Sequence, residues 1–207
     1  FFSIILWFSY PATIIIAGIY TTLIVLFFTN KDFVNLKKTV FLGTVPLISL
    51  LICFLLTLKN SGQSDYMKSF WSDHFAPLPI SLSAFYWYKR AFFWALNKPF
   101  NIENVYLGSF FSITGTIAIF KKDRKMFLFI TFVLLYLLIA SFIGRYPLYQ
   151  RLLIFSVPLF YLILIYNFEL FPQRIAKSIL FIIFFTFFIF QPLKDSQEII
   201  KYNISKQ

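Results

Sequence analysis

Long apolar runs separated by short polar interruptions set the pattern of this 207-residue chain. Residues 1 to 28 carry no charge, and Ser9-Tyr10-Pro11-Ala12 interrupts them. Ser9 suits a helix cap and Pro11 the first turn of a helix running to Phe28. At 1.5 Å per residue that helix is about 27 Å long, close to the ~30 Å hydrocarbon core of a bilayer. One longer helix kinked at Pro11 is the alternative. The same pattern predicts spans over 39–58, 105–120, 126–144, 152–167 and 178–193, with Pro46 and Pro158 inside two of them. Gly108 and Gly115 provide small positions where a neighbouring helix could approach closely.

One excursion breaks the rhythm. From 60 to 104 charged residues (Asp65, Lys68, Asp73, His74, Lys89, Arg90, Lys98, Glu103) alternate with Trp71, Phe75, Tyr86, Trp87, Tyr88 and Trp94. Such a mixture suits the headgroup region, where rings lie flat and basic ends reach phosphates. Within it, Phe85, Tyr88, Phe92 and Ala95 recur at helical spacing, with Lys89 and Arg90 near the other face, so 81–96 is expected to form an amphipathic helix.

Composition fixes the class. Hydrophobic residues make up 59% and charged residues 13%, with a mean hydropathy of +0.78, which is too apolar for a water-soluble domain of this length. The expected architecture is all-α: a single polytopic transmembrane bundle of about six helices, with the amphipathic helix in a long extracytoplasmic loop. The net charge of +11 does not indicate nucleic acid, because the basic residues sit in short clusters between apolar runs. The short loops 29–38, 121–125 and 169–177 hold nine of the 19 lysines and arginines and are placed on the cytoplasmic side. The loop 60–104, the turn 145–151 and the tail then lie outside. A lone cysteine, Cys53, gives no disulfide framework and no thiol metal site. The opening Phe1-Phe2-Ser3 is read as the middle of a hydrophobic segment, hence as the C-terminal part of a longer protein.

Candidate chemistry concentrates at Arg145-Tyr146-Pro147-Leu148-Tyr149-Gln150-Arg151. Two guanidinium groups between apolar helices call for an anionic partner, and phosphate fits their planar forks. Anchoring of the helix ends at lipid headgroups is the simpler reading. Pro147 fixes the backbone and limits how freely the arginines float. Asp73, His74, Lys89, Arg90, Arg145, Tyr146, Tyr149 and Arg151 are expected to line one extracytoplasmic cavity. Asp73, or Asp65, is a carboxylate able to deprotonate an acceptor hydroxyl, and His74 a general base or an interfacial ring. Lys89 and Arg90 suit a phosphate or anionic lipid, or a solvated helix face. No grouping of metal ligands is visible, and the residues leave the cofactor and any dependence on a divalent metal open.

Three stretches, Ser9-Tyr10-Pro11-Ala12, Phe70-Trp71-Ser72-Asp73-His74-Phe75-Ala76-Pro77-Leu78-Pro79 and the Arg145 turn continuing through Leu152-Leu153-Ile154-Phe155, carry a resemblance. The chain resembles the integral-membrane glycosyltransferases of the C-type fold, the superfamily of protein O-mannosyltransferases and lipid A aminoarabinose transferases, in its bacterial members. That resemblance implies inverting transfer of a sugar from a polyprenyl-phosphate carrier at the outer face of the cytoplasmic (inner) membrane. Arg145 and Arg151 would hold the lipid phosphate. The superfamily's catalytic acid sits near the N-terminus of the full protein, in a region this chain does not contain, which leaves Asp73 or Asp65 as its stand-in. A transporter, flippase or polysaccharide-assembly protein handling an anionic lipid would use the same cations without chemistry.

Overall fold

The computed structural model describes residues 9–53, 55–56, 69–100, 102, 104–170 and the isolated positions 178, 181, 182, 186 and 197. Among these, every regular element is helical. The helices are α1 (Tyr10–Thr29), α2 (Phe33–Cys53), α3 (Leu82–Asn97), α4 (Val105–Lys122), α5 (Arg124–Phe142) and α6 (Val157–Ile165). Short 3-10 helices cover Ser72–His74, Gln150–Ser156 and Tyr166–Leu170. Four stretches are long and apolar enough to cross a membrane: Pro11–Thr29, Phe33–Cys53, Arg124–Phe142 and Leu152–Leu170. The α4 segment, expected to span, is not among these four. The expected span 178–193 lies outside the described residues apart from isolated positions, as does 60–68.

The chain forms two compact units. The first comprises residues 1–88 and 123–149. In it α1 packs against both α2 and α5. Gly18 makes the α1 to α5 contact close: a Cβ there would lie 2.5 Å from Cγ2 of Val133. The Thr21 and Tyr136 hydroxyls share a hydrogen bond of 2.7 Å between the same two helices.

The start of α2 departs from the expectation that 29–38 is a loop. Only residues 30–32 turn, and Lys37 and Lys38 lie within the helix. The reason is a cap. The Asn35 backbone N–H donates to Oδ1 of Asp32 at 3.1 Å, and the Leu36 N–H to the Asp32 carbonyl at 3.0 Å. Side-chain charge does not stop a helix, because the long lysine stems carry their charges away from its backbone to the exposed surface.

The 121–125 cluster is likewise shorter as a turn than expected. Asp123 alone separates α4 from α5, its Oδ1 accepting from the Lys125 and Met126 N–H groups at 3.1 and 3.0 Å. Lys121 and Lys122 close α4, where the helix dipole favours positive charge.

The second unit comprises residues 89–122 and 150–207. Its core gathers Leu96, Phe100, Ile102, Phe111, Phe160 and Leu164, with the Phe100 and Phe160 rings stacked 4.1 Å apart. The span 152–167 is not one uniform helix: it enters as 3-10, becomes α at Val157 and ends as 3-10. Pro158 explains the change, since a residue without an N–H fits the first turn of α6 and not its middle. α4 packs on α6 and on Tyr166–Leu170. Gly115 permits this, because a Cβ there would collide with the Ile163 carbonyl oxygen and crowd Nδ2 of Asn167 at 2.8 Å. Asn167, 2% exposed, fastens the crossing. Its Nδ2 donates to the Phe111 and Leu164 carbonyls, both at 2.9 Å, and its Oδ1 accepts from the Thr114 hydroxyl at 2.6 Å.

Candidate functional site

Within the first unit, the segment 69–77 meets the turn that follows α5. Gly144 makes that turn. At φ +67° it adopts the left-handed conformation that ends a helix, and its N–H donates to Ser141 O while the Arg145 N–H donates to Ala140 O. These two bonds form a Schellman closure. Arg145 therefore leaves the helix at its C-terminal end, where the dipole favours a cation, and its side chain is exposed. Tyr146 turns inward and is 4% exposed. Burial pushes its phenol up to about 12, so it stays protonated.

After Pro147 the Leu148 N–H donates to the His74 carbonyl at 2.8 Å, which ties the turn to the 3-10 helix Ser72–His74. The rings join at the same place. His74 lies over Tyr149 with centroids 4.1 Å apart and planes 34° from parallel. Trp71 stands 5.8 Å from each of them. All three rings are half-buried, leaving part of the cluster open.

Three further bonds hold the segment. The Ala76 N–H donates to Oγ of Ser141, which is fully buried, at 2.8 Å. Nε1 of Trp87 donates to the Asp73 carbonyl at 3.0 Å, and the Tyr88 hydroxyl to the Pro77 carbonyl. The Asp73 backbone is thus fixed while its side chain is exposed, with the Ser72 hydroxyl 3.4 Å from Oδ1.

The structure therefore brings together Asp73, His74 and Tyr149, and places Arg145 four residues before Tyr149 on the same turn. Tyr146 belongs to the packing beneath. Lys89 and Arg90 belong to the second unit, where they are exposed on α3 and each covers an aromatic ring one turn on: Phe93 at 5.7 Å and Trp94 at 5.0 Å. Arg151 lies in the backbone of the 3-10 helix Gln150–Ser156; its side chain, and all of Asp65, lie outside the described residues. Sequence reasoning missed Ser141, Trp87 and Tyr88 as the groups that position Asp73 and its neighbours. A serine in an otherwise apolar stretch of α5 was the available signal.

An exposed carboxylate on a fixed backbone, a half-open cluster of three rings and an exposed guanidinium suit a polar ligand with an apolar face and an anionic end. Among the described residues no three His, Cys, Asp or Glu side chains gather as a metal site would require. Fold and sequence together define a helical membrane protein. Comparison with protein families, with curated proteins and with solved structures finds no match.

Proposed function

We propose that the protein is an integral-membrane glycosyltransferase of the C-type fold. It moves a sugar from a polyprenyl-phosphate carrier to an acceptor at the outer face of a bacterial cytoplasmic membrane. The single observation that carries this reading is the joining of the Arg145 turn to the Asp73–His74 segment through the Leu148 to His74 hydrogen bond and the His74 to Tyr149 ring contact. A sugar ring presents C–H groups that pack on aromatic faces, and Trp71, His74 and Tyr149 supply such faces. The phosphate of the carrier pairs with Arg145, whose planar fork matches two of its oxygens.

The Asp73 carboxylate takes the proton of the acceptor hydroxyl as that oxygen attacks the anomeric carbon. The bond from the anomeric carbon to the phosphate oxygen breaks on the opposite side. Its electron pair leaves on the phosphate, where Arg145 stabilises the charge, and the configuration inverts. In this reading α4 crosses the membrane together with the four longer stretches, so that the 30–32 turn and Asp123 both face the cytoplasm, and α3 is the amphipathic helix of the extracytoplasmic loop.

The test is single-turnover consumption of a polyprenyl-phosphate-linked sugar by the protein in nanodiscs, followed by mass spectrometry of carrier and product. Asp73→Asn is expected to slow transfer by about 10²- to 10⁴-fold, the usual worth of a general base. Arg145→Ala should weaken carrier binding more than Arg145→Lys. Carrier that crosses the bilayer with no glycosyl product from the native protein would overturn the proposal in favour of lipid transport.

A further inference from the structure

The hairpin of α1 and α2 carries an apolar groove of about 290 Å³ that the proposed chemistry does not use. It is roughly twice the size of the ~150 Å³ apolar cavity known to hold a benzene-sized guest. Ile16, Tyr20 and Ile24 form one wall, and Gly43, Pro46 and Leu47 the other. The groove narrows at Gly43, where a Cβ would lie 3.2 Å from the Tyr20 ring. Two of the hydroxyls on its walls are already engaged. Thr44 donates to the Phe41 carbonyl of its own helix at 2.6 Å, and Thr21 shares its bond with Tyr136. Ile16, Ile24, Val40, Pro46, Leu47 and Leu50 make most of the remaining wall, a surface for hydrocarbon.

Charge identifies what kind of hydrocarbon. Thr39 and Val40 line the groove at the start of α2, directly after Lys37 and Lys38, both of them exposed. Lys31 lies in the adjoining turn. Asp32 is the only acid between residues 10 and 53, and its two oxygens accept from the backbone and side chain of Asn35 at 3.1 and 2.6 Å. Residues 31–38 thus hold three lysines against one occupied carboxylate, next in the chain to the groove-lining Thr39 and Val40. A basic cluster at the membrane surface next to a hydrocarbon slot is complementary to one ligand class.

We propose that this groove binds an anionic phospholipid, with one acyl chain lying between α1 and α2 and the phosphate held by Lys37 and Lys38. This binding is independent of the glycosyl-transfer reading.

The experiment is native mass spectrometry of the protein released from nanodiscs of equimolar phosphatidylcholine and phosphatidylglycerol. The native protein is expected to retain one phosphatidylglycerol and to discriminate against phosphatidylcholine by at least tenfold. The double variant Lys37→Gln/Lys38→Gln should lose that discrimination. Thr44→Phe, which fills the groove, should reduce retention of phosphatidylglycerol at least tenfold with both lysines present. Val40→Trp serves as a second filling variant, and the melting temperature of each variant shows that it is folded. Equal retention of the two lipids by the native protein, or retention untouched by both filling variants in folded protein, overturns the proposal. So does disulfide dimerisation through Thr44→Cys in a Cys53→Ala background, because a second copy would then occupy the groove.

Discussion

Tyr146 is the residue whose environment makes the sharpest prediction. Its phenol is pushed from 10.0 up to about 12 by burial, so the folded protein keeps a proton that the unfolded chain releases near pH 10. A group with a raised folded value contributes fully below the unfolded value and loses its contribution as pH rises through the folded one. Stability is therefore expected to be independent of this group below pH 10 and to fall between about pH 10 and 12. Tyr146→Phe should remove that fall, read as the difference between the two melting curves against pH in detergent. The sequence places Tyr146 with Arg145 among the residues expected to line one cavity. It could not show that the left-handed turn at Gly144 sends Arg145 outward and Tyr146 inward. Glycine after an apolar run is a recognised helix stop, so Gly144 itself was legible.

At the scale of elements, the close crossings rest on small residues. In a bilayer there is no hydrophobic drive between helices, so contact depends on near approach of backbones and on polar bonds. At Gly115 the obstacle is a backbone carbonyl, which cannot rotate away. At Gly18 it is the Cγ2 methyl of Val133, which a smaller residue removes. Gly115→Ala is expected to destabilise the second unit by more than Asn167→Leu. The latter deletes polar bonds that are worth about 0.6 to 1.7 kcal/mol each in membrane proteins. Gly18→Ala should be rescued by Val133→Ala, whereas no side-chain deletion on α6 should rescue Gly115→Ala. Unfolding midpoints in mixed detergent micelles check both statements; rescue of Gly115→Ala by Ile163→Ala would refute the backbone argument. Sequence reading had marked Gly115 as a place for close approach. It had no means of naming Asn167 as the partner, because an asparagine near the end of an apolar run reads as a boundary.

For the whole molecule, membrane insertion and the basic clusters make orientation the property to measure. Single cysteines at Lys31 and Lys122 in a Cys53→Ala background are expected to react with an impermeant maleimide only after the cytoplasmic side is opened. A cysteine at Asp73 is expected to react in intact cells. Labelling of residues 31 and 73 from the same side would remove the extracytoplasmic placement on which the glycosyl-transfer proposal depends.

Hydropathy, charge clusters and turn residues act locally, and so the sequence by itself determined that the chain is helical, that it enters a membrane and roughly where α1, α3 and α5 lie. Capping is local too, but the loops 29–38 and 121–125 are read for their basic charge alone, so the caps at Asp32 and Asp123 shift the starts of α2 and α5 from where charge puts them. The tertiary structure alone decided that Leu148 meets His74, that Tyr149 stacks on it, that Ser141 holds Ala76 and that Asn167 bonds to Thr114. Each of these joins residues far apart in the chain through one hydrogen bond or ring contact. Such a pairing depends on where whole helices come to rest, and no neighbouring residue records it.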